Sequence, residues 1–111
     1  MREGDIVKLE IRQPDGSLKT RPLLLVKKAP KYNDWIVMAI SSQTQQEVKD
    51  LDILIEENNE VFRGTGLIKK SIVRVAFINT ISGKHIPGAI GRLPQEILRQ
   101  AKERFAKYFL N

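Results

Sequence analysis

Few side chains in this sequence are equipped to move a proton or hold a metal. His85 is the only histidine and the only residue whose unperturbed pKa suits acid–base work near neutrality. It lies in Ser82-Gly83-Lys84-His85, a turn-like stretch where an exposed, chemically idle histidine is the simpler reading. With no cysteine and one histidine, the chain lacks disulfides, thiolate metal sites and the clustered ligands of a typical zinc site, so no metal and no cofactor are expected. A reducing cytoplasm is the natural compartment. Cation is plentiful instead: 19 Lys and Arg against 13 Asp and Glu give a formal charge of +6. That balance favours polyanionic partners, because side chains that neutralise phosphates release condensed counterions. Ser41-Ser42-Gln43 places three polar side chains at the end of the apolar run Trp35–Ile40. A short hydroxyl there can bond a phosphate oxygen or relay a proton; it can also simply cap a turn. Arg74 is the one charge in the otherwise apolar stretch Ser71–Ile78, where the structural reading is a buried arginine paired with an acid such as Asp5. Trp35 could stack on a base, yet its place at the head of an apolar strand favours packing.

These residues must be held by short strands. Val7, Leu9 and Ile11 alternate with Lys8, Glu10 and Arg12, the period of a half-buried strand over residues 5 to 12. Pro14-Asp15-Gly16-Ser17 reverses it, and Pro22 opens the apolar run Leu23–Val26, too short for a helix and read as a buried strand. A polar turn at Lys31 to Asp34 leads into Trp35–Ile40. Residues 44 to 50 read as a loop, 51 to 55 as a further strand, and Glu56–Glu60 as an acidic turn. Ser71–Ile78 is expected to be buried on both faces, and Ile86 and Ile90 to flank a last hairpin around Pro87-Gly88. From Pro94 the period changes: Ile97, Leu98, Ala101, Phe105 and Phe109 recur at helical spacing, with Arg99, Lys102, Arg104 and Lys107 on the solvated side. The expectation is one α+β, mainly β domain over residues 1–111, an antiparallel barrel with a C-terminal helix. No apolar run approaches membrane-spanning length, so a soluble protein without membrane contact is expected.

Several local signatures, in order and over nearly the whole chain, resemble the MazF/PemK family of toxin-antitoxin endoribonucleases. They are Gly4-Asp5-Ile6-Val7, Thr20-Arg21-Pro22 before aliphatics, Ala39-Ile40-Ser41-Ser42-Gln43, Gly66-Leu67, Ser71-Ile72-Val73-Arg74, Thr80-Ile81 and Gly91-Arg92-Leu93. The resemblance implies a small antiparallel SH3-like β-barrel, usually a homodimer, acting as the toxin of a type II toxin-antitoxin system. Its implied activity is metal-independent, sequence-specific cleavage of single-stranded RNA by 2′-hydroxyl attack. Its implied partners are RNA and an acidic antitoxin protein.

Carried over residue by residue, the resemblance makes Arg21 and Ser41 the catalytic pair. Arg21's guanidinium fork suits two phosphate oxygens, and Ser41 stands where the family carries Thr or Ser. Lys19, Thr20, Ser42, Gln43 and Arg74 become RNA-binding candidates. One departure matters. Some members carry an aspartate two residues beyond the arginine at position 74, and this chain has Ala76, so no carboxylate base is available there. A non-cleaving RNA-binding member is therefore one competing expectation. A gyrase-poisoning relative is another, but those rely on a Trp-Gly-Ile tail and this chain ends Phe109-Leu110-Asn111. Sequence preference would depend on the loops Asp15–Lys19 and Lys31–Asp34.

Overall fold

In a computed structural model describing all 111 residues, the alternating N-terminal segment is strand β1 (Asp5–Arg12), which pairs antiparallel with β2 (Leu18–Lys28). Gly16 turns the chain between them at φ 89°, while the Asp15 carboxylate accepts from both the Ser17 N–H (3.0 Å) and hydroxyl (2.6 Å). Those two bonds favour the charged form and hold the Asp15 carboxyl below its ordinary pKa. β3 (Asp34–Ser41), β4 (Ile53–Ile55), β5 (Ser71–Ser82), β6 (Ala89–Arg92) and one helix, α1 (Gln95–Leu110), complete the chain. All six strands pair antiparallel in the order β4-β5-β3-β2-β1-β6, and the sheet curls into a half-barrel.

Leu23–Val26 is apolar at every position because both faces of the sheet are covered. Leu24 and Val26 join Ile6, Met38, Ile40 and Val73 beneath Leu98 and Ala101 of α1. Leu23 and Leu25 point the other way, into a smaller cluster with Val7, Trp35 and Val37. Trp35 is packed there, with the Lys28 ammonium 5.8 Å from its ring centre. After β4, a 3-10 turn at Glu60–Thr65 lies against β6 at the other edge of the sheet. Gly91 abuts the backbone of Gly64 and Thr65, and Gly66, at φ 73°, abuts the Ile90 carbonyl, so neither position has room for a Cβ.

The ends of the chain are tied together. Arg92 and Asp5 form an ion pair at 2.7 Å, the Leu93 N–H donates to the Gly4 carbonyl, and the Lys102 ammonium bonds Glu3 at 2.9 Å. Lys102 and Arg104, expected to be solvated, are therefore both engaged; Arg104 donates to the Asp52 carbonyl. Phe109 is exposed and stacks on Phe105 rather than on the sheet.

Three expectations are corrected. Ile86 and Ile90 flank no hairpin: residues 83 to 85 make a 3-10 turn, and β6 crosses to pair with β1, Asp5 opposite Arg92. β5 is buried on both faces only as far as Val75. The register jumps from Met38 opposite Ile78 to Ala39 opposite Arg74, and this bulge throws Val75, Ala76 and Phe77 out of the ladder, leaving Ala76 and Phe77 exposed. Arg74 has no acid beside it, because Asp5 is taken by Arg92.

Candidate phosphate-binding cleft

Pro22 determines where the cleft opens. A proline has no N–H to give a neighbouring strand, and the β2–β3 ladder runs from Lys28 only as far as Leu23, while β2 stays paired to β1 down to Leu18. The first half of β2 therefore stands apart from the end of β3. The resulting cleft, about 210 Å³, is lined by Thr20, Arg21 and Pro22 of β2, Lys8 of β1, Ser42 just past β3, and Leu67–Lys69.

Arg21 is half-buried, and its Nε donates to the Gln13 side-chain oxygen at 2.9 Å. It makes no ion pair, so both Nη groups are left for a ligand. Lys8 and Lys69 put cations around the cleft, and no carboxylate or imidazole lines it; Arg21 lies at its edge, where β2 parts from β3, with its side chain on the opposite face from Lys8, which pairs with Pro22. Such a surface attracts a phosphodiester and supports charge building on phosphorus; it carries no obvious proton acceptor.

The sequence-derived residues divide. Thr20, Arg21 and Ser42 share the cleft. Ser41 does not line it: only 3% exposed, its hydroxyl accepts the Gln43 N–H at 3.1 Å, the turn-capping arrangement. By strand alternation Ser41 and Arg21 leave the same face of the sheet as Ala39 and Leu23. Lys19 is exposed opposite Ile11, and Gln43 is exposed with its side-chain oxygen accepting from Gln45. Arg74, opposite Ala39, is half-buried and lies on the Phe77 ring, 3.6 Å from its centre. His85 is exposed in a separate depression with Glu10 and Arg12. Sequence reading missed Lys8, Lys69 and Gln13. Lys8 and Gln13 sit in segments that looked like ordinary strand and turn, and only the fold brings Lys69 to them. No three His, Cys, Asp or Glu side chains cluster where they could hold a metal ion.

No curated protein matches the sequence. Among solved structures, the chain is similar to the Mycobacterium tuberculosis toxin MazF-mt6, with 18% identity and a TM-score of 0.69 over 95% of each chain. It is also similar to a MazE-MazF structure from Deinococcus radiodurans, with 10% identity and a TM-score of 0.72 over 98% of this chain and 95% of that one. An endoribonuclease in complex with its cognate antitoxin, from a Mycobacterial species, gives 10% identity and a TM-score of 0.71 over 98% of this chain and 94% of that one. At these identities the likeness is one of fold. Membership follows from the sequence itself, which matches a family model from residue 2 to residue 109: the chain belongs to the PemK-like, MazF-like toxins of type II toxin-antitoxin systems.

Proposed function

We propose that this toxin is an endoribonuclease that cuts single-stranded RNA at preferred sequences, by attack of a ribose 2′-hydroxyl on the adjacent phosphate and without a metal. Members of the family are known as endoribonucleases, and one observation supports the mechanism most: Arg21, without an ion pair and fixed by Gln13, stands at the edge of a cleft that Lys8 and Lys69 line and no carboxylate does. Arg21 binds two phosphate oxygens and stabilises the extra charge of the pentacoordinate phosphorus, while Lys8 and Lys69 hold neighbouring phosphates. As the 2′-O–P bond forms and the P–O5′ bond breaks, the 2′-hydroxyl proton passes to solvent hydroxide and the departing 5′-oxygen takes a proton from water. Products are a cyclic phosphate and a free 5′-hydroxyl. Ser41 supports the strand end beside Arg21, and Thr20 and Ser42 offer hydroxyl donors to the backbone.

Incubating the purified protein with a long unstructured RNA in EDTA and mapping the new ends tests this directly. Discrete cuts bearing 5′-hydroxyls are expected; an intact RNA that is nevertheless bound would favour the non-cleaving reading, which Ala76 and the lack of an acid in the cleft motivate. Two solved neighbours are complexes with an antitoxin, and for this chain an acidic antitoxin covering the cationic cleft is the corresponding partner. A homodimer with a groove shared between barrels completes the proposal. Sedimentation and competition between RNA and antitoxin check both.

A further inference from the structure

A second cleft, about 330 Å³, opens on the sheet face that carries Leu23 and Ala39, between the tip of the β1–β2 hairpin and the bulge of β5. Its floor is apolar, made by Leu23, Ala39 and Ile78, and amide side chains stand at its rim, Gln13 on one side and Asn79 on the other. Phe77 forms one wall. The bulge has pushed this ring out of the ladder to 39% exposure, and the Arg74 guanidinium lies 3.6 Å from its centre. The Nε of Arg74 is buried and has no hydrogen-bond partner, so the guanidinium is held by the ring and not by an acid.

This cleft adjoins the phosphate-binding cleft through one residue. Gln13 lines it, and the same Gln13 amide oxygen receives the Nε of Arg21. A nucleotide strand whose phosphate is gripped by Arg21 therefore passes its neighbouring base over Gln13. The volume is at the low end of small-ligand pockets, enough for a ring and too small for a protein element. Arg12 lines the cleft, Arg74 lies against its Phe77 and Arg21 against its Gln13, so the surroundings are cationic and favour a polyanion.

We propose that this cleft is a nucleobase subsite: it seats the base beside the phosphate held by Arg21, with the Phe77–Arg74 stack as platform and the Gln13 and Asn79 amides reading the base edge. Exposed aromatic rings and guanidinium planes are what unstacked RNA bases stack on, and an amide offers the paired donor and acceptor that distinguishes one base edge from another. The assignment rests on Arg21 binding an RNA phosphate and extends it to a source of sequence preference.

The test uses 2′-O-methyl oligonucleotides spanning a mapped cleavage site, uncleavable at the 2′ position, with one abasic nucleotide moved along the strand. Wild-type protein should lose about tenfold in affinity when the abasic position flanks the scissile phosphate, the size of one lost base–aromatic stack. In Phe77→Ala that penalty should fall below about twofold, while Phe77→Tyr keeps it. Asn79→Asp, at an exposed position that tolerates change, should alter which base is preferred there. A penalty of the same size in Phe77→Ala, with Asn79→Asp leaving base preference untouched, overturns the subsite while leaving RNA cleavage standing. Phe77→Ala that binds RNA normally but sediments as a smaller species assigns the cleft to a second copy instead and equally overturns it. Wild-type protein with no affinity for any RNA removes both this assignment and the proposed function.

Discussion

Removing the guanidinium of Arg21 should nearly abolish cleavage, and removing its tether should not. On the proposed mechanism Arg21→Ala takes away the cation that meets the reacting phosphate; losing one preorganised donor to a developing oxyanion costs about 2.7–4 kcal/mol, or about a hundredfold to a thousandfold in rate. Gln13→Ala leaves the charge but frees a side chain now fixed by the 2.9 Å bond from Nε. Immobilising such a side chain anew costs about 0.5–1.5 kcal/mol, so the rate should drop only about 2- to 13-fold. Arg21→Lys should recover little, since a point charge cannot grip two oxygens as the fork does. The double variant tests the tether itself: with Arg21 already alanine, Gln13→Ala should cost less than about twofold. Single-turnover cleavage of one RNA by the wild type and the four variants, with thermal melts to confirm folding, measures this. A folded Arg21→Ala protein cutting within about threefold of wild type, roughly 0.7 kcal/mol, would refute the assignment. A Gln13→Ala penalty equal in both backgrounds would refute the tether.

Ser41→Ala removes the acceptor for the Gln43 N–H in a position only 3% exposed, so a stability loss of about 1 kcal/mol is expected by denaturant melts, with a smaller fall in cleavage than Arg21→Ala shows. With Lys8, Arg21 and Lys69 each neutralising one phosphate, a plot of log affinity for single-stranded RNA against log salt should slope near about −2, and a flat plot would mean that these cations do not meet the backbone. The cleft holds no carboxylate or imidazole, so cleavage rate should climb steadily with pH through neutrality; a bell-shaped profile abolished by His85→Gln would name that histidine instead. Glu3 has its pKa lowered by its hydrogen bond to Lys102, so its stabilisation is present above the ordinary glutamate range and is lost as pH falls through the depressed folded value. Glu3→Gln should cost about 0.2–1 kcal/mol at pH 7 and nothing in strong acid, read as converging melts.

What the sequence conveyed best was what repeats locally. The alternation of Val7, Leu9 and Ile11, the unbroken Leu23–Val26 run and the helical spacing after Pro94 each depend on neighbours a few residues away, and each became the expected element. The misreadings are all long-range. Nothing in Ala89–Arg92 says that its partner is the first strand, and nothing in Val75-Ala76-Phe77 says that the ladder skips them, because a bulge is a property of two strands at once. Of the candidate site, Arg21 was legible through the proline that follows it. Lys8, Lys69 and Gln13 were not, since they join Arg21 only after the sheet has curled.

The tie between the two ends of the chain has a temporal consequence. Glu3, Gly4 and Asp5 find their partners in Arg92, Leu93 and Lys102, and the core face of the sheet waits for Leu98 and Ala101 to cover it. A chain emerging amino-end first from the ribosome can build the β1–β2 hairpin early, but that hairpin keeps an open edge and an uncovered core until β6 and α1 have been made. The finished sheet, and the ordered cleft with it, therefore exist only once β6 and α1 have been made.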